Sequence, residues 1–143
     1  MTIVSQLLRT KGNDVWSVGP DTTVYDALTL MSQMNIGAVV VLAEGDVAGI
    51  FSERDYARRV ALQGKSSRTT AVSAVMTDDV YCATPKDTVE TCMAIMSDKR
   101  FRHLPVLSEA DELIGIISIG DVVKALLAEQ EVMINHLENY IKS

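Results

Sequence analysis

The sequence predicts a mixed α/β fold of two tandem β-α-β-β-α repeats, packed sheet to sheet with pseudo-two-fold symmetry. Three observations predict it. The chain repeats itself with a shift of 65 residues, each copy shows helical and strand-like apolar patterns in the same order, and a unit of about 65 residues buries too little surface to be comfortable alone. The repeat sets Val15, Pro20, Thr23, Val24, Met31, Ser32, Val41, Leu42 and Glu44 against Val80, Pro85, Thr88, Val89, Met96, Ser97, Val106, Leu107 and Glu109. After one extra residue near Ala110 it continues, with Gly49, Ile50, Ser52 and Asp55 matching Gly115, Ile116, Ser118 and Asp121. Even the lead-in recurs, since Val4-Ser5-Gln6-Leu7-Leu8 resembles Val72-Ser73-Ala74-Val75-Met76.

Each copy opens on a short strand, Val15 to Val18 and Val80 to Ala83, closed by a proline that cannot donate to a ladder (Pro20, Pro85). A helix follows. Its apolar residues, Val24, Ala27, Leu28, Met31 and Met34, then Val89, Cys92, Met93 and Met96, recur with the period of one helix face. Asp87 with Glu90 is expected to cap the second of these helices. The runs Ala38 to Leu42 and Leu104 to Leu107 read as buried strands, each followed by a polar turn and a hairpin partner, Val47 to Phe51 and Leu113 to Ile117. A second helix then begins near Arg54 and near Asp121. The last helix is expected to run to Lys142, with Val123, Leu126, Met133, Leu137 and Tyr140 along one side, a stripe that suits either a partner helix or packing onto its own domain.

Composition narrows the function. The 143 residues are 48% hydrophobic and 22% charged, and the longest apolar runs, such as Ile36 to Ala43, are far short of a membrane span. Arg9 and Lys11 interrupt the N-terminal stretch before any signal peptide could form. Cys82 and Cys92 form no CxxC pair, which suits a reducing cytoplasm and argues against zinc. The net charge of −6 disfavours binding to nucleic acid. Yet residues 54–68 sum to +4 and residues 99–103 to +3, so basic charge is concentrated in two segments that suit either a small anion or two solvated helix ends. Gly64-Lys65-Ser66 is not a Walker A loop, because Arg59 stands where its first glycine belongs and a helix precedes it. There is no GxGxxG. His103 and His136 lack companion metal ligands, and neither cysteine sits beside an activating base.

What recurs is Gly-Ile-x-Ser-x-x-Asp, at Gly49 to Asp55 and again at Gly115 to Asp121. Ser-x-x-Asp at a helix start is a capping box. The same geometry also offers a helix N-terminus to an anion, and a first-turn carboxylate that can accept both hydroxyls of a ribose. Nearby arginines can hold phosphate through their bidentate fork.

With Arg102-His103-Leu104-Pro105-Val106 before the second hairpin and Val75-Met76-Thr77 before the second copy, the doubled motif resembles a tandem pair of cystathionine-β-synthase (CBS) domains. The likeness covers nearly the whole chain and is close to small stand-alone CBS-pair proteins. It implies one domain over residues 1–68, with lead-in helix and linker, and another over 69–143 with the long C-terminal helix. It also implies a non-catalytic module that binds AMP, ADP, ATP, NAD or S-adenosylmethionine between repeats, needs no metal, forms a homodimer and signals to a partner protein. Carried over residue by residue, Asp55 and Asp121 would hold ribose hydroxyls, with Ser52 and Ser118 beside them and each adenine against the opposite repeat. The first site would then comprise Ser52, Arg54, Asp55, Val80, Tyr81, Cys82, Arg102 and His103. Ser66 and Arg68 join it either as phosphate contacts or as an ordinary solvated loop. The second would comprise Val15, Trp16, Gly37, Ala38, Ile116, Ser118 and Asp121. Gly120 and Ala38 stand where the first site has Arg54 and His103, so the Asp55 site is expected to hold the phosphate-rich ligand. Two other readings compete. One is a structural dimerisation module with vestigial sites; the other, an enzyme acting on nucleotides, lacks a general base, nucleophile or metal cluster.

Overall fold

Helix α1 (Val4–Lys11) belongs to the compact unit of the second repeat. The computed structural model describes residues 1–142 and resolves them into two units. One holds Val15–Val80 with Asp111–Leu113, and the other holds Met1–Asp14, Tyr81–Ala110 and the chain from Ile114 onward. Apolar residues dictate the exchange. Val4, Leu7 and Leu8 of α1 are buried in one core with Val89, Cys92, Met96, Leu104, Val106 and Ile117 of the second repeat. Backbone bonds fix the docking: Val4 N–H donates to Asp87 O (2.8 Å), Ser5 N–H to Pro85 O (3.0 Å) and Val89 N–H to Thr2 O (3.0 Å). The second lead-in behaves reciprocally. Val72 and Val75 are buried with Val24, Ala27, Met31, Val39, Val41, Phe51 and Val60, while Val24 N–H donates to Thr70 O (2.9 Å) and Val72 N–H to Thr22 O (2.8 Å). Compact units and sequence repeats therefore divide the chain at different places.

In the first-repeat unit, β1 (Ser17–Val18) is shorter than the expected Val15 to Val18, because only Ser17 and Val18 find partners, Val40 and Val41, on β2 (Ala38–Ala43). Strand β3 (Asp46–Ser52) pairs antiparallel with β2, from Ala38 opposite Ser52 to Ala43 opposite Asp46, giving a sheet ordered β1-β2-β3. Glu44 and Gly45 join them with φ of 53° and 85°, the two positive values that a tight hairpin turn requires. Helix α2 (Val24–Met34) starts at Thr23, whose hydroxyl accepts the Asp26 N–H (3.1 Å), and ends at Asn35 in the left-handed region. After β3 comes α3 (Glu53–Asp55), continued by the wider π-helical turns of Tyr56–Ala61.

The second-repeat unit holds α4 (Val89–Lys99), the paired strands β4 (His103–Leu107) and β5 (Leu113–Ser118), and α5 (Ile119–Lys142). Two expectations are corrected. The strand expected at Val80 to Ala83 reduces to one bridge, Ala83 with Val106, since only Ala83 exchanges backbone bonds there. The cap of α4 is Thr88, which accepts the Thr91 N–H (3.1 Å), because the Asp87 carboxylate is already taken by Thr84 N–H (2.8 Å). Of the stripe foreseen on α5, Leu126 packs on the core, whereas Met133, Leu137 and Tyr140 are 65%, 57% and 82% exposed.

Candidate functional site

Both Ser-x-x-Asp motifs fold as capping boxes where a hairpin strand runs into a helix. In the first, Ser52 N–H and Ser52 Oγ–H both donate to Asp55 Oδ2 (3.0 Å each), and Asp55 N–H returns a bond to Ser52 Oγ (3.2 Å). The other oxygen, Oδ1, accepts Thr77 Oγ1–H (3.1 Å), with Arg59 Nε 3.9 Å away. Asp55 is 8% exposed, so this carboxylate is buried with both oxygens committed to the protein. Thr77 arrives through a bridge to Ile50, closed by two 2.9 Å backbone bonds. Gly49 admits that approach: a Cβ there would lie 2.6 Å from Met76 Sδ and 2.7 Å from Thr77 O. Arg59 reaches the same segment, its Nη1 donating to Met76 O (2.7 Å) and Val75 O (3.4 Å).

The second motif repeats the box with different partners. Ser118 N–H donates to Asp121 Oδ2 (2.8 Å), and Asp121 N–H donates to Ser118 Oγ (3.1 Å). A cation joins it. Lys11, the last residue of α1, places Nζ 2.6 Å from Asp121 Oδ2 and 2.5 Å from Ile116 O. Leu8 sets this up by packing on Gly115, where an added Cβ would meet its methyls at 2.8 and 3.0 Å. The Asp121 side chain stays 23% exposed, and among the described residues none donates to its Oδ1. Burial alone would raise the Asp121 pKa, but the bonds from Lys11 and Ser118 and the Lys11 charge outweigh it and hold the carboxyl below its ordinary value. Gly120 and Ala38 carry no charge at the second motif, but Lys11 brings a cation to it from α1.

Each motif is seated against the start of its own repeat's central strand. Glu53 N–H donates to Gly37 O (3.1 Å), Ala38 pairs with Ser52, and Val40 N–H donates to Trp16 O (3.3 Å), so Trp16, Gly37 and Ala38 lie in the unit of Asp55. Val15 and Val80 share that unit, as do the exposed Arg54 and Ser66. Arg68 lies there too, its guanidinium 4.0 Å from the centroid of the Tyr25 ring. Correspondingly, Ile119 N–H donates to Arg102 O (2.8 Å), which brings Arg102, and His103 at the head of β4, beside Ile116, Ser118 and Asp121. Tyr81, in the same unit, meets Phe101 (centroids 5.6 Å apart) and Lys99 (5.4 Å). Cys82 is half-buried, and burial raises its pKa.

Sequence reasoning missed Lys11 and Thr77. The available signal was the repeated lead-in, which ends at Leu8 and Met76, one to three residues before these two side chains. What the repeat does not reveal is that each lead-in serves the other copy. Chemically, a first-turn carboxylate with one uncommitted oxygen and an adjacent ammonium can accept hydroxyls and hold an anion. It is not a nucleophile-and-base arrangement. Cys92, for its part, is driven up to about 11 by burial and then by Asp87, the reverse of an activated thiol.

Comparisons with known proteins bear on the family and the fold. The CBS-domain family model matches twice, over residues 4–62 and 72–128. The mitochondrial CBS domain-containing protein CBSX3 of Arabidopsis thaliana is 39% identical over 99% of this chain and 72% of its own length. The crystal structure of a CBS-domain containing protein from Agrobacterium tumefaciens is 48% identical, with a TM-score of 0.80 over 87% of this chain and 98% of its own. The CBS domain pair of protein MJ0100, solved with 5′-methylthioadenosine and S-adenosyl-L-methionine, shares the fold at 20% identity and TM-score 0.77, over 90% of this chain and 98% of its own.

Proposed function

The chain belongs to the CBS-domain family, carrying the domain twice, and from that premise we propose that it is a non-catalytic sensor of an adenosine nucleotide. The nucleotide is of the AMP, ADP, ATP or NAD type, and a partner protein reads its binding. One observation carries the reading: the Asp121 carboxylate keeps an uncommitted oxygen at a helix start, which is what ribose hydroxyls require. Ser118 and Ile116 flank it. Asp55, with Ser52 and Arg54, is the related ribose acceptor of the first repeat, but a ligand there must displace Ser52 or Thr77 from a buried carboxylate. Binding of two adenosine compounds by the MJ0100 pair supports the same ligand class. No helix among the described residues is long and apolar enough to cross a membrane, and we assign the protein to the cytoplasm. We also assign the exposed stripe of α5 to pairing with a second copy, because Val123, Met133, Leu137 and Tyr140 lie exposed along one side of it.

The test is a thermal-shift panel of AMP, ADP, ATP, NAD and S-adenosylmethionine on the full chain. At least one should stabilise it, by about 2.7 kcal/mol at 100-fold over Kd. No shift with any of them would favour a dimerisation scaffold, and consumption of the ligand would favour an enzyme.

A further inference from the structure

We propose that Lys11 makes the Asp121 site selective for adenosine ligands that carry a phosphate, an inference that rests on the nucleotide reading above. The assignment begins with position. Lys11 Nζ sits 2.6 Å from the carboxylate that receives the ribose, and a nucleoside 5′-phosphate carries its anion a few bonds from those hydroxyls. Without a cation, Asp121 would repel that phosphate. An ammonium has three N–H donors, and two are committed here, to Asp121 Oδ2 and Ile116 O. The third remains for a ligand oxygen, on a side chain that is 31% exposed.

Rigidity is the second element. Val4, Leu7 and Leu8 are buried, and Leu8 presses on Gly115, the neighbour of the residue whose carbonyl holds Nζ. The charge is therefore delivered by a packed helix rather than a free loop. The Asp55 site is built differently: the lead-in that reaches it presents the neutral Thr77 hydroxyl, and the cation beside that carboxylate is Arg59 of the same repeat, its Nε 3.9 Å from Asp55 Oδ1 and its Nη1 on the Val75 and Met76 carbonyls. This reverses the phosphate preference that the basic segments alone suggest.

Isothermal titration of the full chain with AMP and with adenosine tests it, using wild type, Lys11→Met and Lys11→Arg. A charge-assisted bond of ordinary strength predicts that Lys11→Met weakens AMP by about 10-fold or more. Adenosine should change by less than about twofold, and Lys11→Arg should restore most of the AMP preference. Equal losses for AMP and adenosine in Lys11→Met, tighter binding of both, or an unchanged AMP-to-adenosine ratio would overturn the proposal. Should Lys11→Met fail to fold, an AMP preference in Lys11→Arg no greater than that for adenosine overturns it equally. If wild type binds neither compound, the nucleotide reading falls with it; if wild type binds AMP and the ratio survives Lys11→Met, only the role of Lys11 falls.

Discussion

Gly49 and Gly115 occupy the same place in the two repeats, yet adding one methyl group to each should have different costs. At Gly49 the new Cβ meets Met76 Sδ at 2.6 Å and the backbone oxygen of Thr77 at 2.7 Å. The thioether can swing aside. The carbonyl cannot, because it accepts Ile50 N–H at 2.9 Å and its own residue's hydroxyl binds Asp55. Gly49→Ala must spread the bridge, an overpacking of about 1–3 kcal/mol, and loosen a hydrogen bond to a buried carboxylate worth about 1 kcal/mol more. At Gly115 the methyl meets only the branched end of Leu8, at 2.8 and 3.0 Å, and a rotamer shift of about 1 kcal/mol relieves it. For a chain of this size about 1 kcal/mol moves Tm by some 2–4 °C, so Gly49→Ala should melt roughly 4–16 °C below wild type and Gly115→Ala about 2–4 °C below. Melting followed by far-UV circular dichroism at pH 7 measures both. A Gly115→Ala loss equal to or greater than that of Gly49→Ala would refute the packing argument for both lead-ins.

Other consequences can be checked together. The Asp121 pKa is held down in the fold, so its contribution is complete above the ordinary value of 3.8 and disappears as pH falls through the lower folded value. The stability gap between wild type and Asp121→Asn in urea should therefore be flat from about pH 5 to 8 and shrink below about pH 4; a gap that widens on acidification contradicts it. Cys92, buried and raised to about 11, should resist alkylation at pH 8 until the protein unfolds, while the half-buried Cys82 reacts slowly under native conditions. If α5 pairs with a second copy, Leu137→Glu should convert a dimer to monomer in sedimentation velocity without lowering helix content, since Leu137 is 57% exposed.

The duplication made most of the fold legible, because identities such as Gly49/Gly115 and Asp55/Asp121 fix equivalent elements without any propensity argument. The central strands and first helices were readable from apolar period alone. The cap of α4 was not, since Asp87 and Thr88 are both good caps and only the Thr84 N–H decides between them. The short opening strands were overread for a related reason: Val15 and Val80 have strand character but find no strand partner. At the candidate site the Ser and Asp pairs were legible as capping boxes, whereas their other partners were not. Lys11 lies 110 residues from Asp121 in sequence, and only the exchange of lead-ins brings them together. Charge counting along the chain did not point to Lys11, because it weighed sequence neighbours, whereas this cation reaches Asp121 from the other end of the chain.

The most direct measurement is calorimetric titration of AMP into the full-length wild type, Asp121→Ala and Asp55→Ala, each checked for native melting. The predicted result is saturable binding to wild type that Asp121→Ala abolishes or weakens at least about tenfold, the loss expected when a charged acceptor is removed from ribose hydroxyls. Undiminished binding to Asp121→Ala, or no binding of an adenosine nucleotide to wild type, would contradict the role given to the motif carboxylates.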